Sequence, residues 1–304
     1  MRVTTKMMAD TIKAHLARQN ANILKSEIQL ATTKKINKLS DDPKGITQLL
    51  GYRTALSTLG QYQQNITNAK SRVEYTSTTL EQIASLVNDA KNIASRGTPD
   101  EYAIMADQVV DIRDQLMDLV NSQYSGSYLF SGNKTDTPAF GPVAANGDYP
   151  YQGDAASYQV MVGSGSKVSI IADGDEIFRD VDTPIDPDDP NDPGTTIFQM
   201  LDDLEEALRA GDEAAIRETL EGIGTIEKQT RLASARLSVS YSRLDDTQAR
   251  WKTFSNVIEE MRADVEDADL AQTALELQLQ QNNYNILLQV AANVIPPSLV
   301  DFLR

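Results

Sequence analysis

A seven-residue apolar repeat between residues 52 and 94 constrains the fold of this chain more than any other feature. Two sets of positions three residues apart carry the repeat, and 12 of the 13 positions are apolar, with Thr76 as the exception. No proline or glycine interrupts residues 61–96. Such a repeat places one continuous apolar seam along a helix and predicts partner helices. The positions are Tyr52, Leu59, Ile66, Val73, Leu80, Val87 and Ala94 in one set, and Ala55, Tyr62, Ala69, Thr76, Ile83 and Ala90 in the other.

The alternative for this stretch is a long core helix in an ordinary globular protein. At about 1.5 Å per residue the helix is about 65 Å long, whereas a small domain is only about 30 Å across. The length therefore favours a helical rod.

The composition argues against several classes of function. The 304 residues are enough for two or more domains. The net charge of −16 disfavours nucleic acid as a partner, because phosphate backbones are anionic. The chain has no cysteine and one histidine, His15, so we expect no zinc or haem site, no other cofactor and no histidine-dependent nucleophile.

The sequence contains no apolar run of the length of a signal peptide or of a membrane-spanning helix. We therefore expect no membrane insertion. If the protein leaves the cell, we expect it to do so without an ordinary cleaved signal.

Proline and glycine divide the chain into helical arms around a turn-rich centre. The pattern predicts helices at about 5–38, 43–95, 100–121 and 197–209, and one very long helical zone at about 212–293. Lys34, Lys35 and Lys38 are predicted to complement the dipole in the last turns of the first helix. The third helix is predicted to face inward with Ile104, Val109, Ile112, Leu116 and Leu119.

The centre is predicted to be a small β-rich insert. Strand patterns occur near 128–134, 158–162 and 167–171, and Asp173-Gly174 predicts a tight turn. Prolines at every third position from Pro184 to Pro193 favour an extended polyproline II linker. A calcium loop is the alternative for this acidic run, but the central glycine and the final glutamate of such a loop are not in place.

A second seam lies in the C-terminal helical zone and completes what we call the rod seam. Gln272 and Asn282 interrupt its continuation, either as buried amides that fix the register or as exposed side chains if the helix bends near Asp267. The rod seam comprises Tyr52, Leu59, Ile66, Val73, Leu80, Val87, Trp251, Phe254, Ile258, Met261 and Val265.

The outermost arms carry apolar positions that have no partner inside the chain except each other. We therefore expect these arms to be poorly ordered in the free monomer and to fold by packing on neighbouring copies or other proteins. The assembly-arm positions are Met8, Ile12, Leu16, Ile23, Leu30, Leu275, Leu279, Ile286, Val290, Leu299 and Phe302.

The predicted fold is mainly α, a long antiparallel helical rod formed by the N- and C-terminal arms with a small β-rich insert in the middle. We expect three parts. These are a terminal assembly domain (1–42 with 265–304), a rod domain (43–126 with 195–264), and the insert with its linker (127–194).

Several motifs resemble the bacterial flagellin superfamily. Residues 30–37 (Leu-Ala-Thr-Thr-Lys-Lys-Ile-Asn) and 40–43 (Ser-Asp-Asp-Pro) are similar to its N-terminal signature, with Thr33 where the family usually has glycine. Residues 267–271 and 296–304 are similar to its C-terminal end. Within the family, residues 1–8 and 128–140 resemble the hook–filament junction members.

The resemblance implies a flagellin-like fold and a structural, non-enzymatic role outside the cell at the hook–filament junction. The implied partners are the first hook-associated junction protein, flagellin and neighbouring copies in a ring. Export through the flagellar type III apparatus, with a cytosolic chaperone, is implied as well.

Three other readings stay open at this point. The chain resembles flagellin itself in both arms, so a filament subunit is the nearest alternative. A non-flagellar coiled-coil adaptor would share the helical pattern. An enzyme in the insert is the third, although its carboxylates lack a histidine, a cysteine or a glycine-rich phosphate loop.

Overall fold

The computed structural model describes residues 2–96, 98–144, 147–154, 156–170, 173–180 and 194–294. Within these ranges the chain is mainly helical, with short antiparallel strands in the middle of the sequence, which confirms the predicted fold class. The α-helices are α1 (Arg2–Thr32), α2 (Pro43–Arg96), α3 (Tyr102–Val120), α4 (Gly174–Phe178), α5 (Ile197–Ala210), α6 (Glu213–Glu266) and α7 (Leu270–Val294). The strands are β1 (Gln123–Tyr124), β2 (Ser127–Tyr128), β3 (Tyr158–Gly163), β4 (Ser166–Ile170), β5 (Arg179–Asp180) and β6 (Thr195–Thr196).

The described residues form two compact units. Unit 1 contains the residues up to Thr58 and those from Thr253 onward. Unit 2 contains the residues from Leu59 to Lys252. Both boundaries fall inside a long helix, because α2 and α6 each contribute residues to both units.

The core of unit 2 forms around the apolar repeat of α2. Ile66, Val73, Leu80 and Val87 are each at most 2% exposed. They belong to one apolar cluster with side chains of the other helices of this unit, among them Leu116 in α3 and others in α5 and α6. Burial of each such side chain stabilises the fold by about 1.5–3 kcal/mol, so the repeat supplies a large share of the core.

Aromatic side chains join the insert to the same core. Phe130 packs edge-on against Phe178, with ring centroids 5.3 Å apart, and Phe140 packs at the same distance against Phe198 of α5. Because these four rings are at most 1% exposed, the insert shares its interior with the helices of unit 2.

The strands pair as three antiparallel two-stranded ribbons. The pair β3–β4 places Val160 opposite Val168, both buried, and Gly165 at φ 73° lies in its turn. The pair β1–β2 turns through Ser125 and Gly126, whose φ values of 51° and 79° match the tight hairpin turn that needs two left-handed residues.

The ends of the first helix and of the C-terminal helical zone differ from the prediction. α1 ends at Thr32 because Thr33 has φ 59°, so Lys34, Lys35 and Lys38 do not lie in its last turns. The C-terminal zone is two helices, since residues 267–269 separate α6 from α7. The Asp269 carboxylate caps the start of α7, because it accepts hydrogen bonds from the backbone N–H groups of Ala271 and Gln272 at 3.0 and 3.1 Å.

Three predictions in the middle of the chain were wrong in detail. Asp173-Gly174 starts helix α4, since the Asp173 carboxylate accepts a hydrogen bond from the backbone of Asp175. The strand expected near 128–134 is confined to Ser127–Tyr128, and turns follow it. Ile104 is 63% exposed because the buried face of α3 runs through Tyr102 and Ala106, out of phase with it.

The proline-rich run between Pro184 and Pro193 lies outside the described residues. Gln272 and Asn282 are exposed, and the helical zone is interrupted at residues 267–269. Of the two alternatives predicted for these amides, exposure beside a bend near Asp267 is therefore the one observed.

Candidate assembly surface

Helices α1 and α7 pair in unit 1, next to a short backbone bridge. The Thr33 carbonyl accepts a hydrogen bond from the Ala268 N–H at 3.0 Å, and the Lys35 N–H donates to the Glu266 carbonyl at 2.7 Å. This bridge follows the end of α1 and precedes the start of α7. The two helices therefore extend from it with opposite chain directions and pack on each other.

The interface between α1 and α7 is partly polar. Gln280 is its centre, because its carbonyl accepts from the Gln19 amide at 3.1 Å and its side chain accepts from the Ser26 hydroxyl at 3.2 Å. Ser26 and Thr273 are buried. The predicted arm positions Ile12, Leu16, Ile23 and Leu30 are half-buried. The interface therefore combines polar contacts with half-buried apolar side chains.

Large apolar side chains on both helices of this pair face solvent, and we call this set the exposed stripe. Leu275, Leu279 and Ile286 are 62%, 54% and 57% exposed, and their spacing of four and seven residues puts them on one face of α7. Several large apolar side chains exposed on one helical pair indicate an interaction surface. The exposed stripe comprises Met7, Met8, Leu24, Leu270, Leu275, Leu279, Ile286, Leu288 and Val290. Leu299 and Phe302, also predicted as arm positions, lie outside the described residues.

The N-terminal half of the rod seam lies where burial is most complete. Leu59, Ile66, Val73, Leu80 and Val87 are buried in unit 2. Tyr52, in unit 1, is half-buried. The polar exception, Thr76, is buried as well, and its hydroxyl donates to the Arg72 carbonyl at 2.8 Å.

The C-terminal half of the rod seam is split between two environments. Trp251 is half-buried in unit 2, where its indole N–H donates to the Val162 carbonyl at 2.6 Å. In unit 1, Ile258 is buried and Val265 is half-buried. Phe254 and Met261 are 49% and 46% exposed, so they do not line a buried seam within unit 1 and add apolar surface to it.

An ion-pair cluster at Glu266 supports the bridge between the helices. The Glu266 side chain is only 4% exposed and accepts hydrogen bonds from Lys34 and, at 2.6 Å, from Arg53. It also forms a longer ion pair with Arg262 at 3.6 Å. Burial alone raises the pKa of this carboxyl, but the hydrogen bonds from Lys34 and Arg53 outweigh it, so the pKa lies below its ordinary value of 4.5. Glu266 therefore carries a negative charge at neutral pH and holds the ends of α1 and α6 together.

Most of this cluster has no signal in the sequence. The spacing of Arg262 and Glu266 is visible in the sequence as a helical i, i+4 pair. Lys34 and Arg53 are far from Glu266 along the chain, and no pattern links them to it.

The described part of the chain offers neither a metal site nor a membrane span. No group of three or more histidine, cysteine or acidic side chains in it is arranged to hold a metal ion. None of its helices is both long and apolar enough to cross a bilayer.

Comparison with known proteins gives a consistent result. Residues 3–135 match the family described as the bacterial flagellin N-terminal helical region. The chain is 29% identical over 238 residues to flagellar hook-associated protein 3 of Salmonella typhimurium, covering 76% of this chain and 74% of that protein. It is 28% identical over 282 residues to flagellar hook-associated protein 3 of Escherichia coli, covering 90% of this chain and 86% of that protein.

The fold is similar to a solved structure as well. The crystal structure of FlgL from Xanthomonas campestris superposes with a TM-score of 0.57, covering 70% of this chain and 99% of that one at 18% identity. At this identity the likeness concerns the fold alone.

Proposed function

Because the chain belongs to the bacterial flagellin superfamily, we propose that it acts as a structural adaptor of the flagellum, joining the hook to the flagellin filament. The observation that carries this function is the exposed stripe on α1 and α7. An apolar face of this kind gains stability only when another protein covers it.

The finer parts of the proposal concern the partners. The first hook-associated junction protein lies on the hook side, flagellin on the filament side, and neighbouring copies complete a ring. Residues 1–42 and 265–304 form the assembly domain, and its predicted arm positions make the contacts. The buried positions of the rod seam hold the helices of unit 2 together, and the 127–194 insert does not contact the partners.

The place of action follows from the role. The chain is secreted through the flagellar type III apparatus, escorted in the cytosol by an export chaperone, and works outside the cell. It is not an enzyme. In support, its single histidine, His15, is an exposed helix residue, and the chain has no cysteine.

Substitution of Leu279 by Asp tests the role of the exposed stripe. Leu279 is 54% exposed, so the charge should leave unit 2 folded while it prevents apolar contact with a partner. We expect secreted Leu279→Asp protein that is absent from hook ends in electron micrographs, and cells that do not swim. The matched control is Gln281→Asp, which places the same charge on an exposed polar position of α7.

Normal incorporation of Leu279→Asp would contradict the role of the stripe. Polymerisation of the purified chain separates the adaptor from a flagellin-type subunit. An adaptor stays soluble alone and adds a short layer to isolated hooks, whereas indefinite filaments would favour the filament subunit.

A further inference from the structure

Unit 2 contains a cleft that plays no part in the proposed adaptor role. Its volume is about 480 Å³, within the range of small-molecule sites. Helix α2, the β1–β2 turn and strand β3 form its walls. The side chains that matter here are Asn68, Arg72, Tyr124, Ser127, Tyr158 and Gln159.

A buried arginine lies in the wall of this cleft. Arg72 is 8% exposed, and its guanidinium donates one hydrogen bond, to the Tyr128 carbonyl at 2.9 Å. The group also lies 4.7 Å from the centre of the Tyr158 ring. Among the described residues, no carboxylate forms an ion pair with it. Burial lowers the pKa of Arg72, although it stays charged at neutral pH.

Of the two buried arginines among the described residues, Arg179 has carboxylate partners and Arg72 has none. A guanidinium has five N–H donors, and burying a charge without a counter-ion is costly. The remaining donors can accommodate a planar carboxylate through two parallel hydrogen bonds. Arg72 therefore supplies the positive charge and the hydrogen-bond donors that a bound anion needs.

The rest of the lining is built for hydroxyl groups and for a flat apolar face. The amide oxygen of Asn68 accepts from Gln64 at 3.2 Å, which leaves its amide N–H group without a partner among the described residues. The side chains of Ser127 and Gln159 likewise make no hydrogen bond to the described part of the chain. Tyr158 is 38% exposed, and Tyr124 contributes a second ring.

Two contacts hold the walls of the cleft in place. The Asn65 amide donates to the Met161 carbonyl at 3.1 Å and ties β3 to α2. Tyr75 packs on Tyr124 with ring centroids 5.6 Å apart and positions that ring. The β3 backbone and the Tyr124 ring are therefore in place before a ligand enters the cleft, which lowers the cost of binding.

We propose that this cleft binds an acidic sugar of the uronic-acid class, with its carboxylate on Arg72. A pyranose ring presents a flat C–H face to a tyrosine ring and hydroxyl groups to amides and hydroxyls. A carboxylate on the same ring satisfies the arginine. The volume accommodates one or two sugar units.

Calorimetry on the purified full-length chain tests the proposal, with D-glucuronate as the probe. Acetate supplies the carboxylate alone, glucose the hydroxyls alone, and inorganic phosphate a different oxyanion. We expect millimolar glucuronate to bind and each of the three other probes to bind at least about tenfold more weakly, because charge-assisted and neutral hydrogen bonds contribute together. A uronic-acid oligosaccharide in a parallel titration distinguishes a polysaccharide from a free sugar acid.

Two variants locate the site. Arg72→Gln should reduce glucuronate affinity by about tenfold or more, since the charge-assisted bonds are lost. Because Arg72 is buried, its replacement also perturbs folding. Gln159→Ala, at an exposed position, therefore provides a second readout, with an expected loss of glucuronate affinity of about threefold. The matched control is Gln82→Ala, an exposed position of α2 outside the cleft, which should bind as the unmodified chain does.

Three results would overturn the proposal. One is the absence of glucuronate binding. Another is equal binding of acetate or phosphate, which would indicate an unspecific anion site. The third is an unchanged glucuronate affinity in both Gln159→Ala and Arg72→Gln, with Arg72→Gln shown to be folded. None of these results bears on the adaptor role, which depends on unit 1.

Discussion

Substitution of Val73 by Asp examines the apolar repeat of α2 at its most buried part. Val73 is 2% exposed and belongs to the core cluster of unit 2. Removal of the valine side chain from the core forfeits about 1.5–2 kcal/mol. Burial of a protonated carboxyl without partners adds about 1–3 kcal/mol. Burial also raises the pKa of the new carboxyl by up to about 3–5 units, and each unit of this shift that lies below the working pH costs 1.36 kcal/mol of stability.

Together these contributions predict a loss of about 7–9 kcal/mol at neutral pH, a large fraction of the 5–15 kcal/mol that stabilises a typical fold. Because the folded-state pKa of Asp at position 73 lies above its unfolded value, the protonated form dominates in the folded state. The ionisation penalty is therefore absent below the unfolded pKa, near pH 4, and grows as the pH rises through the folded pKa. The loss should be roughly half as large at pH 4 as at pH 7.

Chemical denaturation of unit 2, followed by the fluorescence of Trp251, measures the loss at both pH values. Val73→Thr, which keeps the shape and buries one hydroxyl, should cost about 1–3 kcal/mol and remains folded for measurement. Ser71→Asp puts the same charge on an exposed position of the same helix and should change stability by less than about 0.5 kcal/mol. An unchanged free energy of unfolding in Val73→Thr and Val73→Asp would refute the placement of this repeat in the core.

Two further predictions concern unit 1. Glu266→Gln removes the charge that Lys34 and Arg53 contact and should cost about 1–2 kcal/mol, because both partners are themselves 43–52% exposed. Since the folded-state pKa of Glu266 is lowered, its contribution is present above pH 4.5 and is lost as the pH falls through the folded value, so the difference between the variant and the unmodified chain should shrink in acid. Glu259→Gln, exposed on α6, is the control, and a pH-independent difference would contradict the assignment. Thr33→Gly should stabilise unit 1 by about 0.5–1 kcal/mol in urea denaturation. The left-handed conformation costs a threonine about 1–2 kcal/mol, of which the greater flexibility of glycine in the unfolded state cancels about 0.5–1 kcal/mol. Thr32→Gly, at a helical position, should instead destabilise unit 1, and a loss of stability in both variants would refute the strain at position 33.

The long helices could be predicted because their signal is local. The repeat through Ile66, Val73 and Leu80 needs only the spacing of apolar residues, and those side chains are buried. The pair Asp42 and Pro43 likewise predicts the start of α2, where the Asp42 carboxylate accepts from the Gly45 N–H at 3.0 Å.

Features without a local apolar or capping signal could not be predicted. The end of α1 depends on the φ of Thr33, and threonine itself gives no signal for a left-handed conformation. Glu266 gains its role only when α1 and α2 bring Lys34 and Arg53 to it. The exposure of Phe254 and Met261 likewise escapes a heptad pattern, which identifies an apolar face but not what covers it.

We expect α1 and α7 to become fully ordered only when neighbouring proteins cover their exposed stripe. Amide hydrogen exchange of these two helices, measured in the free monomer and in hook-attached assemblies, tests this dependence. We expect fast exchange in α1 and α7 of the monomer, slow exchange at Val73 and Leu80 in the same sample, and strong protection of both arms after assembly. Slow exchange throughout α1 and α7 in the isolated monomer, unchanged by assembly, would contradict it.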